Sequence, residues 1–170
     1  SYIDLKSGDL IIDIASNDGT LLGFYGDNGY KLIGIDPTSK KFGSYYKDDT
    51  SYVSDFFNAD IVKEKFGDQK AKIITSIACF YDLEKPQIFA DDIEKVLDDN
   101  GIRILEQSYM PLMIKQVSYD TTCHEHLEYY ALKQIDRVTQ KAGLRIVDVF
   151  FNDVNGGSFQ VVVTKKDSNI

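Results

Sequence analysis

Short hydrophobic runs alternate along the chain with segments of helical periodicity. Four runs have the length and flanking turn formers of strands buried on both faces, and a fifth, residues 52–53, is a short strand candidate. They cover residues 10–14, 31–36, 52–53, 72–79 and 102–106. The predicted helices between them cover residues 19–28, 38–47, 58–66 and 87–99. This alternation predicts a mainly parallel sheet with helices on both faces.

The pattern changes after the fifth predicted strand. Residues 107–126 lack a period and contain Pro111, and such a long connection in a compact domain usually carries function. Residues 127–141 are again predicted to be helical. The final runs, 144–151 and 158–164, are separated by an Asn- and Gly-rich turn and are predicted to pair as an antiparallel hairpin. The expected fold is Rossmann-like α/β, with residues 1–170 forming a single domain.

Composition removes several classes of protein. The 170 residues include 19 Lys and Arg against 27 Asp and Glu, a formal net charge of −8, and the longest basic runs are pairs such as Lys165 and Lys166. Nucleic acid is therefore not an expected partner, because phosphate binding needs concentrated positive charge. Without an apolar run of roughly 20 residues or a visible leader, we expect a cytoplasmic protein with no membrane segment. Cys79 and Cys123 are expected to be reduced thiols.

Polar and aromatic side chains follow the predicted strands. Ligands of such sheets bind at the carboxyl ends of the strands, near the point where the strand order reverses. Residues 9–22 read as strand, tight turn and helix, which brings backbone N–H groups close to a ligand. Asp36 is placed to accept hydrogen bonds from ribose hydroxyls. Asp55 and Phe56 suit the edge and the face of an adenine ring.

The loop after the first strand favours one nucleotide cofactor over another. The dinucleotide fingerprint G-x-G-x-x-G would place glycine where this chain has Ala15, Asn17 and Thr20, and the flanking Asp13 and Asp18 would repel a pyrophosphate. S-adenosylmethionine instead carries a sulfonium and an ammonium group, which carboxylates attract. We therefore predict S-adenosylmethionine as cofactor and S-adenosylhomocysteine as product.

The predicted cofactor site contains fourteen residues. They are Asp13, Ala15, Ser16, Asn17, Asp18, Gly19, Leu21, Asp36, Pro37, Asp55, Phe56, Phe57, Ala78 and Phe80. Four of them also have a purely structural interpretation. Asp13 could cap the turn, Asp36 could pair with a lysine, and Phe56 and Phe57 could belong to the core.

These strand ends, together with the predicted strand order, resemble the class I S-adenosylmethionine-dependent methyltransferases. Two stretches are similar to the nucleotide-sugar C-methyltransferase family, whose members act on nucleotide-activated keto-deoxysugars. Residues 16–22 stand in place of the usual glycine-rich loop, and residues 123–130, Cys-His-Glu-His-Leu-Glu-Tyr-Tyr, are similar to the family's Tyr-His-Glu-His-Leu segment. Residues 155–158, Asn-Gly-Gly-Ser, resemble its His-Gly-Gly-Ser turn. Cys123 and Asn155 depart from these motifs.

The family resemblance also implies a longer protein. Its members carry an N-terminal zinc-binding domain and a large C-terminal domain, and neither is found in these residues. We therefore expect an excised catalytic domain or a reduced homologue. The acceptor implied is a small molecule, a sugar nucleotide or a similar carbonyl compound.

By the resemblance, His126 is the base that removes a proton next to a ketone, Glu125 orients it or binds a sugar hydroxyl, and His124 is a weaker candidate. Histidine suits this task because its pKa lies near neutrality. One alternative is a metal bound by both histidines with Cys123 or Glu125, although an open zinc site takes three protein ligands. A second is a structural network around Glu125 and Tyr129. A third is that Cys123 is a nucleophile. No metal is predicted.

Two other functions stay open beside carbon methylation. One is an O- or N-methyltransferase that acts on a small molecule or a glycan and shares only the cofactor half of the site. The other is a non-catalytic module that binds S-adenosylmethionine. Analysis of the methylated product separates the first from carbon methylation, because an O-methyl ether does not require an acidic C–H group.

Overall fold

The computed structural model describes residues 2–170, which contain one seven-stranded sheet. The strands are β1 (Leu10–Ile14), β2 (Lys31–Ile35), β3 (Thr50–Val53), β4 (Ala71–Ile77), β5 (Leu97–Ser108), β6 (Leu144–Asn152) and β7 (Ser158–Lys165). Their order across the sheet is β3-β2-β1-β4-β5-β7-β6. The first five strands are parallel, and β7 is antiparallel to both of its neighbours. The predicted α/β fold with a C-terminal antiparallel hairpin is confirmed.

Within residues 2–170, six α-helices connect the strands. They are α1 (Thr20–Gly23), α2 (Ser39–Phe42), α3 (Ala59–Phe66), α4 (Pro86–Val96), α5 (Met110–Gln116) and α6 (Leu132–Lys141). The predicted cap of α3 is present, because the Asn58 side chain accepts a hydrogen bond from the Ile61 N–H at 3.0 Å. Pro86 begins α4, where its missing N–H costs no helical hydrogen bond.

The apolar core lies on both faces of the sheet. The larger cluster packs side chains of α3, α4 and α6, such as Val62, Ile93 and Ile135, against the alternate residues of β1, β2, β4, β5 and β7. The smaller cluster packs Leu22 of α1 and Tyr46 on the opposite face. Both faces of the central strands are thereby covered, as their continuous apolar runs predict. In the described part of the chain no helix has the length and apolar character needed to cross a membrane.

Four predicted helix boundaries are wrong. The helix predicted over residues 38–47 ends at Phe42 and is followed by a 3-10 turn over residues 43–45. The helix predicted over residues 19–28 ends at Gly23, because Gly26 and Gly29 adopt left-handed backbone angles that end a helix. The helix predicted to reach residue 99 ends at Val96, since Leu97 already pairs with Ala71 as part of β5.

The last difference concerns the helix predicted to begin at residue 127. It begins at Leu132, because the N–H groups of Leu127 and Glu128 donate to the carbonyl of Tyr81 at 3.0 and 3.1 Å. Those two residues therefore lack helical hydrogen bonds. The irregular part of the connection between β5 and β6 consequently extends almost to α6, and only the short helix α5 interrupts it.

Candidate functional site

The carboxyl end of β1 lies at the point where the strand order reverses, since β2 flanks it on one side and β4 on the other. Beyond it, Ala15 and Asn17 adopt left-handed backbone angles, with φ of 59° and 50°. The Ala15 N–H donates to the Ile35 carbonyl at 2.9 Å, and the hydroxyls of Ser16 and Tyr46 are 2.7 Å apart. The loop is therefore fixed by contacts with β2 and with Tyr46.

Two acidic side chains flank this loop in contrasting environments. Asp13 is buried and accepts a hydrogen bond from the Thr75 hydroxyl. Burial raises the pKa of Asp13 to about 6, and the nearby charge of Asp36 acts in the same direction. Hydrogen bonds from Thr20 instead lower the pKa of Asp18. None of the ion pairs among residues 2–170 involves Asp13 or Asp18, so their negative charge is available to a cationic ligand.

Asp36 follows β2 and joins it to the loop. One carboxylate oxygen accepts hydrogen bonds from the N–H and the hydroxyl of Thr38, both at 2.6 Å. The other oxygen accepts the Asn17 N–H at 3.1 Å. Asp36 is thus held by neutral donors rather than by a lysine, and this second oxygen retains capacity to accept another hydrogen bond.

Two cavities meet at Ala15. The first, of about 330 Å³, is lined by Asp13, Ala15, Ser16, Asp18, Thr20, Leu21, Phe24 and Ile77. The second, of about 260 Å³, is lined by Ile14, Ala15, Ile35, Pro37, Phe56, Phe57, Cys79, Asp82, Leu83 and Phe89. The first contains two carboxylates, and the second is mostly apolar and aromatic. Together they suit a ligand with a cationic end and a flat, uncharged end.

The remaining residues predicted for the cofactor differ in placement. Phe56 is 75% exposed at the second cavity, and Asp55 is exposed beside it and accepts the Phe56 N–H at 2.7 Å. Phe57 packs its ring against Phe89, with centroids 5.2 Å apart. Ala78 follows β4 with a left-handed φ of 52°.

Six of the fourteen predicted residues line neither cavity: Asn17, Gly19, Asp36, Asp55, Ala78 and Phe80. Phe80 differs from the other five in lying in the hydrophobic core. Its side chain is fully buried in the core and contacts the ring of Tyr130 and the guanidinium of Arg103. It lines neither cavity, so it offers no ring surface to a ligand there.

Sequence reasoning missed Tyr46 and nine residues that line the two cavities: Ile14, Thr20, Phe24, Ile35, Ile77, Cys79, Asp82, Leu83 and Phe89. Tyr46 packs closely against the loop. A Cβ atom placed on Gly19 would lie only 2.8 Å from the ring carbon Cδ1 of Tyr46. Cys79 and Asp82 line the second cavity. The position of Cys79 at the end of a predicted strand was a usable signal for it, whereas Tyr46 lies in an irregular segment whose sequence gives none.

His126 is the best supported side chain of the histidine segment, which comprises residues 118–131. Its Nδ1 atom lies 2.8 Å from the Thr121 carbonyl oxygen, and its ring centroid lies 4.1 Å from that of Tyr81. A carbonyl oxygen only accepts hydrogen bonds, so in the neutral imidazole Nδ1 carries the proton and Nε2 carries the free electron pair. His126 is thereby arranged to accept a proton at Nε2.

The other members of this segment are less constrained. Cys123, His124 and Glu125 are exposed. Burial raises the pKa of the Asp82 carboxyl, and the nearby charge of His126 opposes this rise. Among residues 2–170, no three His, Cys, Asp or Glu side chains are grouped so that they could hold a metal ion.

Comparison with known proteins relates this geometry to a family. Residues 3–149 match a family model described as a methyltransferase domain. The chain is 28% identical over 162 residues to the C-methyltransferase NovU of Streptomyces niveus, a match that covers 94% of this chain and 38% of NovU. The chain therefore spans well under half the length of this curated relative.

Two solved structures illustrate the similarity in fold. The complex of the Haloferax volcanii Trm112 methyltransferase activator with a putative methyltransferase contains a chain that matches with a TM-score of 0.75 and 15% identity, over 96% of this chain and 85% of that one. LepI in complex with SAM matches with a TM-score of 0.71 and 14% identity, over 93% and 43% of the two chains. At these identities the likeness concerns the fold.

Proposed function

This chain belongs to the family of methyltransferase domains, and from that premise we propose that it transfers the methyl group of S-adenosylmethionine to a carbon next to a carbonyl group. The acceptor we propose is a nucleotide-activated keto-deoxysugar or a similar carbonyl compound. The name of the relative from Streptomyces niveus, a C-methyltransferase, supports carbon as the methylated atom. The similarity of residues 123–130 to the histidine motif supports the acceptor class.

The two cavities that meet at Ala15 support the proposal that S-adenosylmethionine is the cofactor. Asp13 and Asp18 of the first cavity would attract the ammonium and sulfonium groups, and Phe56 and Phe57 of the second would contact the adenine ring. The LepI structure, which has this fold, contains SAM. When bound, S-adenosylmethionine supplies a methyl group on positively charged sulfur, whose departure leaves neutral S-adenosylhomocysteine.

The observation that carries the proposed mechanism is the hydrogen bond between His126 Nδ1 and the Thr121 carbonyl. It leaves the electron pair of Nε2 free to remove a proton from the α-carbon of the acceptor. The electrons of that C–H bond form an enolate, and its carbon then forms the new C–C bond to the methyl group. His126 keeps the proton and later releases it to water. The exposed Glu125 is a candidate for binding a hydroxyl of the acceptor.

The proposal is tested by incubating the protein with S-adenosylmethionine and a nucleotide-activated keto-deoxysugar in deuterated water. Wild type should exchange the α-hydrogen and yield a product with a new C-methyl group, both visible by NMR. His126→Gln should slow both processes by roughly a hundred- to ten-thousand-fold, the usual contribution of a general base. The matched variant His124→Gln should change them by only a few-fold.

Three outcomes would contradict this proposal. An O-methyl or N-methyl product would show that the acceptor atom is wrong. Retention of hydrogen exchange in His126→Gln would remove the base assignment. Calorimetry that detects tight binding of NAD but none of S-adenosylmethionine would remove the cofactor assignment.

A further inference from the structure

A third cavity, of about 450 Å³, lies between α5 and the segment that leads to His126. It is lined by Met110, Met113, Ile114, Val117, Ser118, Tyr119, Thr122 and Tyr129. Its volume falls within the range of small-molecule sites in proteins, roughly 300 to 1,000 Å³. It shares no lining residue with the two cavities at Ala15.

The walls of this cavity have features that point to a ligand. Ile114 is 68% exposed, Val117 65% and Tyr119 78%, so three large side chains with apolar surface lie together in solvent. Val117 also adopts a left-handed φ of 56°, a strained conformation for a β-branched residue. Exposed apolar surface and backbone strain are both retained more often at binding sites than elsewhere.

The cavity adjoins the proposed base. Thr122 follows Thr121, whose carbonyl binds Nδ1 of His126. Tyr129, on the opposite side of His126 in the sequence, has its ring centroid 6.3 Å from that of the imidazole. A molecule held in the cavity would therefore lie within one side chain of His126.

The chemistry of the lining selects the kind of group that can enter. None of its eight residues is Lys, Arg, Asp, Glu or His. A phosphate or carboxylate placed there would lose hydration without gaining an ionic partner. Two tyrosine rings and two methionine thioethers instead contact flat, uncharged rings favourably.

From this position and lining we infer that the cavity is the subsite for an uncharged planar ring of the acceptor, whose carbonyl end lies at His126. The inference rests on the proposed function, because that function places the acceptor beside His126. Of the two acceptors proposed above, it favours the similar carbonyl compound over the keto-deoxysugar, because the saturated ring of a deoxysugar is not planar. Any charged part of the acceptor lies outside this cavity.

The test uses 2-acetylnaphthalene, a flat and uncharged aryl ketone, as a fluorescent probe. The chain contains no Trp, so naphthyl emission is free of tryptophan background. Wild type should bind it at least tenfold more tightly than the anion 2-naphthoate. Ile114→Glu should weaken binding of the ketone at least tenfold. Ile88→Glu, which changes a 54% exposed isoleucine on α4 away from the cavity, should change it less than twofold.

Calorimetry with S-adenosylmethionine, unchanged in both variants, would show that they fold. Equal binding of the ketone and the anion, or equal binding by the two variants, would overturn the inference. So would sedimentation that shows a wild-type dimer which Ile114→Glu dissociates, because a second copy would then cover the cavity. The measurement needs no turnover, so a failure of carbon methylation is distinguished from a failure of this subsite.

Discussion

The loop after β1 and the histidine segment, here residues 118–131, form the two halves of the proposed site and are built differently. The loop is hydrogen-bonded to the end of β2 through Ala15 and Asn17 and is packed against Tyr46. The histidine segment has no helix or strand. Its connections to the rest of the fold include the carbonyl of Tyr81 and a bond from the Met110 N–H to the Tyr130 carbonyl at 3.0 Å.

The difference shows how one domain combines a preformed site with an adaptable one. A loop whose backbone groups are bonded to the sheet holds its geometry without a ligand. A segment attached at a few points opens at lower free energy than the sheet itself. Substitutions in the loop should therefore change stability and cofactor affinity, whereas those that loosen the segment should change turnover.

The largest effect is expected from Asp13→Asn. The pKa of Asp13 is raised from 3.8 to about 6, so the folded protein holds this proton more tightly than the unfolded chain. The stability contributed by the protonated group is present below pH 3.8 and is lost as pH rises through about 6. At pH 8 the variant should therefore be more stable than wild type by about 3 kcal/mol, at 1.36 kcal/mol per unit.

Urea unfolding at pH 8 and at pH 3.5 checks this prediction. The advantage of Asp13→Asn should vanish at the lower pH. Asp18→Asn is the matched control, because the pKa of Asp18 is lowered and the sign is reversed. An advantage for Asp13→Asn that is the same at both pH values would contradict the electrostatic explanation. Calorimetry should also show that Asp13→Asn binds S-adenosylmethionine more weakly.

The second largest effect is expected from Gly19→Ala. Its comparison with Gly8→Ala separates the cost of local crowding from the cost of backbone strain. Gly19 and Gly8 both have left-handed φ angles, 76° and 88°, but a Cβ atom on Gly19 would meet Tyr46 at 2.8 Å, whereas one on Gly8 would meet nothing within 4 Å. Gly19→Ala should therefore be less stable than Gly8→Ala by about 2 kcal/mol, the usual cost of overpacking. Denaturant midpoints measure the difference. Equal midpoints would mean that Tyr46 moves aside freely.

The smallest effect concerns how the histidine segment is held. Tyr81→Leu removes the ring that lies against His126 but leaves the backbone carbonyl that binds Leu127 and Glu128. We expect kcat to fall about tenfold, equivalent to about 1.4 kcal/mol, with little change in the Kd of S-adenosylmethionine. Tyr81→Phe keeps the ring and should retain most of the activity. Equal kcat values for the two variants would show that the ring does not position His126.

The sheet was predictable because buried parallel strands are marked by local apolar runs, such as residues 10–14 of β1. The acidic loop was predictable for a related reason, since its chemistry lies in consecutive residues. The start of α6 was not, because the carbonyl that replaces its helical hydrogen bonds belongs to Tyr81, far away in the sequence. The support of Gly19 by Tyr46 is likewise a tertiary contact, and the apolar cavity beside α5 depends on the path of an irregular segment.

The position of β7 has a consequence for how the chain folds. It follows β6 in the sequence but lies between β5 and β6 in the sheet, and Phe159, Val161 and Val163 of β7 are fully buried. During synthesis, β6 therefore emerges from the ribosome before its hydrogen-bonding partner β7. The edge of β5 stays unpaired for the same period. The nascent chain must delay completion of the sheet until β7 has emerged, and it is most exposed to mispairing with other strands in that interval.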